Sequence, residues 1–324
     1  MSSILILGSG QIGSRHLQGV LKSKHKLSVY VLDPSNESLN LSKERASEIE
    51  HDHLVNYIRH LTDLPKKIDV AIIATDATIR FNVTVELINH VHIQFLILEK
   101  VLFQEIEEYI KFKQIIKERH LKVWVNLPRR MYPYYSSLKK KIKENNLKKF
   151  DALYVGNNWG IGCNAIHLID LISFLTNSKT IQSVNCDFLD REISSTKRDK
   201  FIEFTGQIVI RFEETTLTLV SHKQPETGNP LLVITSENDK WIIQEGKSIS
   251  HISNNEHLIK SNFNYEDYFQ SSLSTIFIDQ LLLQGTCELP TYEESDKLHI
   301  PFITELLIFQ NKLENENGKI LKIT

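Results

Sequence analysis

The sequence predicts an α/β protein with a doubly wound parallel sheet over residues 1–125 and an α+β domain with a mostly antiparallel sheet over residues 126–324. Three observations support this prediction. Short apolar runs alternate with helical patterns in the first part, as in parallel sheets with crossover helices. In the second part, apolar runs follow one another through short connections, as in antiparallel sheets. The length of 324 residues also suits two hydrophobic cores better than one.

Five buried strands are predicted in the first domain. Each is a short apolar run, often β-branched, which is typical of strands covered on both faces. Apolar residues at helical spacing separate these runs, so the connections are long enough for parallel pairing. The predicted strands are 3–7, 26–32, 70–74, 95–98 and 121–125, and the predicted helices include 11–22, 37–48 and 83–90.

Six strands and two closing helices are predicted in the second domain. Residues 213–216 (EETT) have the polarity of a hairpin turn between two of these strands. One face of such a sheet packs helices, and the other is left for a partner subunit. The predicted strands are 150–158, 181–189, 207–212, 216–222, 231–235 and 241–244, and the helices are 264–283 and 291–313.

Composition excludes several classes of function. Lys and Arg number 38 against 40 Asp and Glu, so no overall positive field attracts nucleic acid or anionic membrane. The three cysteines are widely spaced, which predicts neither a metal site nor a disulfide framework and indicates a reducing compartment. No apolar stretch reaches the ~18 residues of a membrane-spanning helix. We expect a soluble, cytoplasmic protein that binds no metal, nucleic acid or membrane.

A glycine-rich segment, GSGQIG, follows the first predicted strand directly and opens the first helix. Gly8 permits a tight turn, Gly10 lets a pyrophosphate approach the backbone, and Gly13 lets the helix pack closely on the strand. The N-terminus of the helix offers unpaired N–H groups and partial positive charge to phosphates. These features predict a dinucleotide-binding Rossmann domain. The predicted site includes the two residues inside the turn, Gln11 and Ile12.

An acidic residue that suits the ribose of the dinucleotide stands at the end of the second strand. Asp33 lies 20 residues beyond Gly13. Its carboxylate can accept hydrogen bonds from the ribose hydroxyls of NAD and would repel the 2′-phosphate of NADP. No arginine occurs in the following residues, PSNES. The sequence therefore predicts NAD(H) as the cofactor.

These motifs together resemble a known family. Residues 8–20 (GSGQIGSRHLQGV), with His16 after the last glycine of the motif, are similar to the start of the glucose–fructose oxidoreductase, inositol dehydrogenase and MocA (Gfo/Idh/MocA) family. Ala74-Thr75 resembles the segment that lies against the cofactor in this family. Glu99-Lys100 resembles its EKP motif, with Val101 in place of the proline. The resemblance implies that these residues contact the cofactor: Ala74, Thr75, Glu99 and Lys100.

The resemblance extends to about residue 175. Asn126, with Arg129 and Arg130, resembles the N-x-x-R segment that opens the second domain of the family. Residues 160–171 (GIGCNAIHLIDL) resemble the signature G-x-x-x-D-x-G-x-H-x-x-D. This relationship implies the same two-domain fold and a sheet that is often used in dimers or tetramers.

One position departs from the family pattern. His167 and Asp170 are in place, but the aspartate expected four residues before the histidine is Cys163, with Asn164 beside it. A thiol with an ordinary pKa near 8.5 and an amide that does not titrate are poor substitutes for a carboxylate base. Whether Cys163 or Asn164 replaces the aspartate, or marks altered activity, stays open.

Two residues are predicted to exchange the proton that accompanies hydride transfer. Lys100 stands at the carboxyl end of a strand, where open α/β sheets bind ligands. A histidine side chain ordinarily suits proton exchange near neutral pH, and His167 shares a helix face with Asp170, three residues on. The alternatives are a surface lysine and a buried histidine paired with Asp170 for structure.

A polar and aromatic cluster follows residue 128 and is a candidate for substrate binding. Arginine can clamp a carboxylate or phosphate, and tyrosine can stack on a sugar face. The alternative is a hinge between domains that contains a structural arginine. The predicted substrate-binding residues, counting those near His167, are Arg130, Tyr132, Cys163, Asn164 and Asp170.

Taken together, these features indicate an NAD-dependent oxidoreductase. The resemblance implies hydride transfer between the nicotinamide and a carbon of a sugar, sugar derivative or polyol, in a homo-oligomer built through the C-terminal sheet. Two alternatives stay open, an enzyme that retains NAD for a net non-redox conversion and a non-catalytic dinucleotide sensor. The exact substrate, the direction of reaction and the number of subunits are not determined by the sequence.

Overall fold

The computed structural model describes residues 1–147, 149–192, 194–195, 200–224, 230–245, 247–253, 257–262 and 269–324. Contacts divide the chain into two compact units. The first unit consists of Met1–Phe103, Glu107–Pro128 and Glu266–Glu293, and the second consists of Gln104–Ile106, Arg129–Tyr265 and Glu294–Thr324. The chain therefore passes between the units more often than a single boundary after residue 125 allows, because a late segment packs with the first unit.

Helices and strands alternate up to residue 176, and strands then follow one another up to residue 262. The helices are α1 (Gln11–Val20), α2 (Asn36–Ser47), α3 (Ala77–His90), α4 (Ile106–Glu118), α5 (Pro133–Glu144), α6 (Ile161–Thr176), α7 (Gln270–Gln284) and α8 (Tyr292–Glu314). The strands are β1 (Ser2–Leu7), β2 (Leu27–Leu32), β3 (Leu54–Ile58), β4 (Lys67–Ile73), β5 (His92–Leu98), β6 (Lys122–Val125), β7 (Phe150–Asn157), β8 (Ser183–Leu189), β9 (Ser194–Ser195), β10 (Ile202–Glu203), β11 (Gly206–Arg211), β12 (Thr215–His222), β13 (Leu231–Thr235), β14 (Asp239–Gln244), β15 (Ser248–Ser253) and β16 (His257–Asn262).

The first unit contains a parallel sheet of six strands in the order β3-β2-β1-β4-β5-β6. This is the doubly wound order of dinucleotide-binding domains, with its switch point beside β1. The predicted parallel sheet is confirmed, but one strand was missed. β3 is a half-exposed edge strand with the mixed sequence LVNYI, so it lacks the apolar run of a strand buried on both faces.

Helix α7 packs on α1 within this unit, which explains why the chain returns to it. Gly19 makes the close approach possible, because a Cβ at this position would stand 2.5 Å from the Cβ of Ser274. Thr275 Oγ1 also donates a hydrogen bond of 2.7 Å to the carbonyl oxygen of Gly19. The predicted helix 264–283 corresponds to α7, and its first five positions, 264–268, lie outside the described residues. Residues far apart in sequence therefore share one helix interface.

The second unit contains a sheet of eight strands in the order β16-β15-β14-β13-β7-β12-β11-β8. Among the described strands of this sheet, only β7 and β12 pair in parallel, so the predicted mostly antiparallel sheet is confirmed. Leu217 and Leu219 of β12 are buried on the side where α6 packs, whereas Thr218 and Val220 are partly exposed. Strands β15 and β16 were not predicted because their sequences, SISHIS and HLIKSN, are largely polar.

No helix in the described part of the chain is both long enough and apolar enough to span a bilayer.

Candidate functional site

The glycine-rich loop of the first unit has the geometry that its sequence predicts. Gly8 adopts a positive φ of 90°, which L side chains rarely tolerate. A Cβ on Gly13 would lie 1.8 Å from the carbonyl oxygen of Gly8, so only glycine lets the helix approach the turn. A Cβ on Gly10 would meet no heavy atom within 4 Å. The loop therefore has a closed side at Gly13, with no room for a side chain, and an open side at Gly10.

The start of α1 is suited to an anion. No side chain caps its N-terminus, and its first turn contains no acidic residue. The backbone N–H groups and the dipole of the helix are thus available to phosphate oxygens. Gln11 and Ile12 stand at this end and are exposed. Arg45 of α2, which the sequence motifs did not indicate, donates hydrogen bonds to the carbonyl oxygen and the Oε1 of Gln11 at 2.8 and 2.6 Å.

Asp33 and the Ala74-Thr75 segment border the same loop. The carboxylate of Asp33 accepts hydrogen bonds from the backbone N–H groups of Ser9 at 2.7 Å and Ser35 at 2.9 Å. Because β4 pairs with β1, Ala74 and Thr75 follow a strand next to the glycine loop. The backbone nitrogen of Thr75 lies 2.9 Å from the place of a Cβ on Gly8. The structure thus brings together the predicted residues around the switch point of the sheet.

Glu99 and Lys100 directly follow β5, but their environments differ. Lys100 is partly exposed, and the peptide bond that links it to Val101 is cis. Glu99 is only 7% exposed, and its carboxylate accepts hydrogen bonds from Asn126 and pairs with His16 Nε2 at 2.8 Å. One carboxylate oxygen of Glu99, Oε1, is therefore occupied inside the unit, and the contact of this residue with the cofactor stays a prediction.

The contacts of Glu99 belong to a buried network that reaches α7. His16 Nδ1 lies 2.9 Å from Ser274 Oγ, and Asn126 Nδ2 donates to Gln270 Oε1 at 2.8 Å. Burial alone would raise the pKa of Glu99, but the hydrogen bond and charge of His16, with the nearby Arg80, lower it. The sequence motifs indicated only His16 and Glu99-Lys100 here, because the hydrogen bonds of the network join distant segments, from residues 16 and 99 to residues 126 and 270–274.

Arg80 holds the loop that contains Lys100. Its guanidinium is fully buried and donates hydrogen bonds to the carbonyl oxygens of Thr75, Val101 and Leu102. Burial lowers the pKa of Arg80 to about 10, with the charge of Glu99 opposing this effect. One side chain therefore ties the segment after β4 to the segment after β5. No sequence motif pointed to this residue.

The first ten residues of helix α6 in the second unit are buried except along one polar stripe. Among residues 161–170, only Cys163, Asn164 and His167 are partly exposed. Their spacing places them on one face of the helix. The structure thus brings together three of the predicted site residues and leaves them near solvent. The fourth predicted residue of this helix, Asp170, is buried instead.

Asp170 is fully buried and pairs with Arg130 rather than serving as a free carboxylate. Arg130 Nε and NH2 donate to its two oxygens at 3.0 and 2.5 Å. Burial raises the pKa of Asp170 to about 6, and the charge and hydrogen bonds of Arg130 oppose this rise. The two side chains therefore form a charge-assisted pair inside the unit, and their contacts with substrate stay predictions.

The neighbouring arginine is also neutralised. Arg129 donates through Nε and NH2 to the carboxylate of Glu245, both at 3.0 Å, and Tyr135 donates to the same carboxylate at 2.7 Å. Burial would raise the pKa of Glu245, but the charge of Arg129 lowers it below its ordinary value. Tyr132 stacks on Tyr135, with ring centroids 5.9 Å apart. The cluster is therefore a set of internal pairs.

A carboxylate that no sequence motif indicated lies at the start of α6. Glu203 Oε2 accepts a hydrogen bond from the backbone N–H of Gly162 at 2.7 Å, and Oε1 accepts one from Cys163 at 3.0 Å. Gly162 allows this contact, because a Cβ there would lie 3.1 Å from Glu203 and 2.9 Å from Ile323. Among the residues that the structure describes, no group of three His, Cys, Asp or Glu side chains is arranged to hold a metal ion.

Comparison with known families gives a match to most of the first unit. Residues 2–127 match the model of the oxidoreductase family with an NAD-binding Rossmann fold, GFO_IDH_MocA. This part of the chain is therefore similar to the NAD-binding domain of the Gfo/Idh/MocA oxidoreductases. The matched residues include the glycine loop, Asp33, Ala74-Thr75 and Lys100, so NAD(H) is the cofactor that this domain is built to hold. No match is found among curated proteins.

Solved structures resemble the chain over nearly its whole length. Scyllo-inositol dehydrogenase from Lactobacillus casei, with NAD(H) and scyllo-inositol, is 16% identical, with a TM-score of 0.70 and 98% of both chains covered. An oxidoreductase from Agrobacterium radiobacter, in complex with NAD+, L-tartaric acid and magnesium, is 14% identical, with a TM-score of 0.70 and 93% of this chain and 94% of that chain covered. The transcriptional regulator Gal80p from Kluyveromyces lactis is 14% identical, with a TM-score of 0.69 and 99% of this chain and 94% of that chain covered. At these identities, the likeness establishes the fold.

Proposed function

We propose that the protein is an NAD-dependent oxidoreductase that transfers hydride between the nicotinamide and a carbon of a sugar, sugar derivative or polyol. The observation that carries this proposal is the dinucleotide site of the first unit, where an open helix N-terminus, Gly10 and Asp33 lie around one switch point. NAD supplies the hydride acceptor when bound. The family match and the inositol dehydrogenase from Lactobacillus casei support a hydroxyl-bearing substrate.

Two side chains are proposed to manage the proton of the reacting hydroxyl. Lys100 is partly exposed at the carboxyl end of β5, and Arg80 fixes the backbone that follows it. His167 belongs to the exposed stripe of α6. A lysine and a histidine placed at a hydroxyl can each exchange its proton near neutral pH. The buried hydrogen-bond network around Glu99 is proposed to fix the position of the adjacent Lys100.

The charge pattern of the second unit favours a neutral substrate. Arg129 and Arg130 were candidates for clamping a carboxylate or a phosphate. Each makes a bidentate pair with a carboxylate of the chain itself, Arg129 with the partly exposed Glu245 and Arg130 with the buried Asp170. Breaking such a pair to bind a ligand would leave a buried charge without a partner. We therefore favour an uncharged polyol or sugar over an anionic derivative.

The open face of the second sheet supports a homo-oligomer. Leu153, Thr218, Val209 and Val233 are cross-strand neighbours on the face opposite the buried leucines of β12. All four are at least partly exposed, and Phe188 on the edge strand β8 is 63% exposed. An apolar sheet face of this kind suits a subunit interface. We propose that a second copy covers it, and that the protein acts in the cytoplasm.

A two-step assay tests the proposed activity. Nicotinamide fluorescence first measures the affinity for NADH and NADPH, and we expect tighter binding of NADH. NAD+ reduction is then followed with scyllo-inositol, myo-inositol and glucose. Turnover of at least one is expected, with Lys100→Ala and His167→Ala losing it while NADH binding is kept. Full activity in both variants would remove the proton-transfer roles, and stronger NADPH binding would refute the role of Asp33.

A second candidate is a non-catalytic dinucleotide sensor. Cys163 occupies the place that the family resemblance gives to a catalytic aspartate, and the regulator Gal80p shares the fold. NADH binding without turnover of any tested polyol would favour this alternative. Turnover that depends on Lys100 would exclude it.

A further inference from the structure

Three polar side chains surround the α-carbon of Gly160, just before α6 begins. A Cβ built on Gly160 would meet Asn164 Nδ2, Cys163 Sγ and Glu203 Oε1, each at 3.1 Å. The amide, the thiol and the carboxylate therefore lie around one point, which only a glycine leaves open. All three residues are partly exposed, so the group borders solvent.

Glu203 is held rigidly and keeps acceptor capacity. Each of its two oxygens accepts one backbone hydrogen bond, from Gly162 and from Cys163. A carboxylate offers about four lone-pair positions, so each oxygen can accept one more hydrogen bond. β10 is anchored in turn, because the backbone N–H of Ile202 donates to the carbonyl oxygen of Lys322 at 2.8 Å. The acceptor is thus fixed in place before any ligand arrives.

The polar stripe of α6 contains no carboxylate of its own. The first turn of the helix has no acidic residue, and the amide of Asn164 donates to the carbonyl oxygen of Trp159 at 2.6 Å. A ligand hydroxyl needs an acceptor for its O–H, and Glu203 brings one to this surface. His167 lies one helical turn beyond Cys163 on the same face. The start of α6 therefore combines a fixed acceptor with a titratable ring.

We propose that Glu203 binds a hydroxyl group of the substrate by accepting its hydrogen bond at the start of α6. This inference rests on the proposed function, because the hydroxyl belongs to the sugar or polyol. A carboxylate already oriented by two N–H groups loses little freedom on binding, which favours affinity. Its charge also agrees with a neutral ligand rather than an anionic one.

Alkylation of the Cys163 thiol can measure ligand binding next to Glu203 without requiring turnover. The wild type, Glu203→Gln and a control, Glu192→Gln, are alkylated with iodoacetamide in the presence of NADH and increasing scyllo-inositol, myo-inositol or glucose. Glu192 is exposed and pairs with the exposed Lys223, so its substitution removes the same charge elsewhere in the unit. Peptide mass spectrometry follows Cys163, with Cys287 as internal reference because burial raises the pKa of its thiol to about 12.

We expect at least one polyol to protect Cys163 in the wild type and in Glu192→Gln. In Glu203→Gln, the half-protecting concentration should rise about tenfold, as for loss of a hydrogen bond to a charged group. The affinity for NADH and the alkylation of Cys287 should stay unchanged. A half-protecting concentration equal to that of the wild type, or no protection of the wild type by any of the three polyols, would overturn the proposal.

Turnover separates this inference from the proposed function. If Glu203→Gln weakens the protection but the wild type reduces no NAD+, the Glu203 site stands and the oxidoreductase activity does not. If the wild type turns over a polyol and Glu203→Gln keeps its KM, the activity stands and the site does not. Should Glu203→Gln fail to fold, Glu203→Asp keeps the charge but withdraws it by one methylene, and we expect weaker protection. Wild-type protection in that variant would overturn the proposal.

Discussion

Two glycine-containing helix starts, one in each unit, resemble each other in sequence and differ in chemistry. At the start of α1, no side chain caps the helix, and the space in front of Gly10 is open. At the start of α6, the N–H groups of Gly162 and Cys163 are taken by the carboxylate of Glu203. The first arrangement suits a phosphate and the second repels one. Glycine at a helix start thus lets another group come close to the backbone. Whether that group can be a phosphate depends on whether the N–H groups of the helix already have a partner.

The largest effect on stability and NADH binding is expected for a substitution at Gly13, on the closed side of the glycine-rich loop. Gly13→Ala places a Cβ 1.8 Å from a backbone oxygen, so the loop must rearrange. We expect the free energy of unfolding to fall by about 3 kcal/mol and the binding of NADH to be lost. Urea denaturation and fluorescence titration measure the two.

Gly10→Ala is the matched change on the open side. Its Cβ meets no atom within 4 Å, so we expect a loss of stability below about 1 kcal/mol. The methyl group crowds the approach of the pyrophosphate, so the Kd for NADH should rise at least about tenfold. Equal NADH affinity in Gly10→Ala and the wild type would contradict the open-loop interpretation.

The stability of the second unit is expected to depend on a pair of buried charges, whereas the glycine loop of the first unit depends on backbone geometry. Arg130→Met leaves the fully buried carboxylate of Asp170 without its bidentate partner. We expect destabilisation of about 3–5 kcal/mol, measured by urea denaturation. The double variant Arg130→Met/Asp170→Asn removes both charges and should recover part of this loss. Additive effects of the two single changes would show that the pair is not coupled.

The pH dependence of stability tests the same pair. The folded-state pKa of Asp170, about 6, lies above its ordinary value of 3.8, so the folded chain binds this proton more tightly than the unfolded chain. Its contribution to stability is therefore full below the ordinary pKa and is lost as pH rises through the folded pKa, by about 3 kcal/mol. The stability of the wild type relative to Asp170→Asn should fall between about pH 4 and pH 7. An increase over this range would contradict the raised pKa.

The smallest effect is expected at the ribose end of the first site. Asp33→Ala removes the carboxylate that Ser9 and Ser35 orient. We expect the Kd for NADH to rise about tenfold, and that for NADPH to change less, because the repulsion of the 2′-phosphate is lost as well. Asp52→Ala, which removes an exposed carboxylate from the same unit, is the control and should leave both Kd values unchanged. An unchanged preference in Asp33→Ala would remove this residue from cofactor selection.

Local motifs explain what could be predicted. The glycine loop and Asp33 act through backbone turns and strand ends that a few consecutive residues encode, so their spacing was enough to place them. The parallel sheet followed from apolar runs, and β3 was missed because an edge strand has no such run. The cluster at Arg130 was assigned to a ligand because the sequence does not show that Asp170, 40 residues on, neutralises it.

The sequence by itself determined the two kinds of sheet, the dinucleotide loop and the similarity of residues 2–127 to an NAD-binding family. The partners of buried polar groups were decided by tertiary structure alone. His16 meets Glu99 and Ser274, Arg80 holds the loop after Lys100, and Glu203 reaches the start of α6. The physical reason is that a hydrogen bond or ion pair depends on distance in space. Sequence periodicity carries no information about which distant residue fills an acceptor or neutralises a charge.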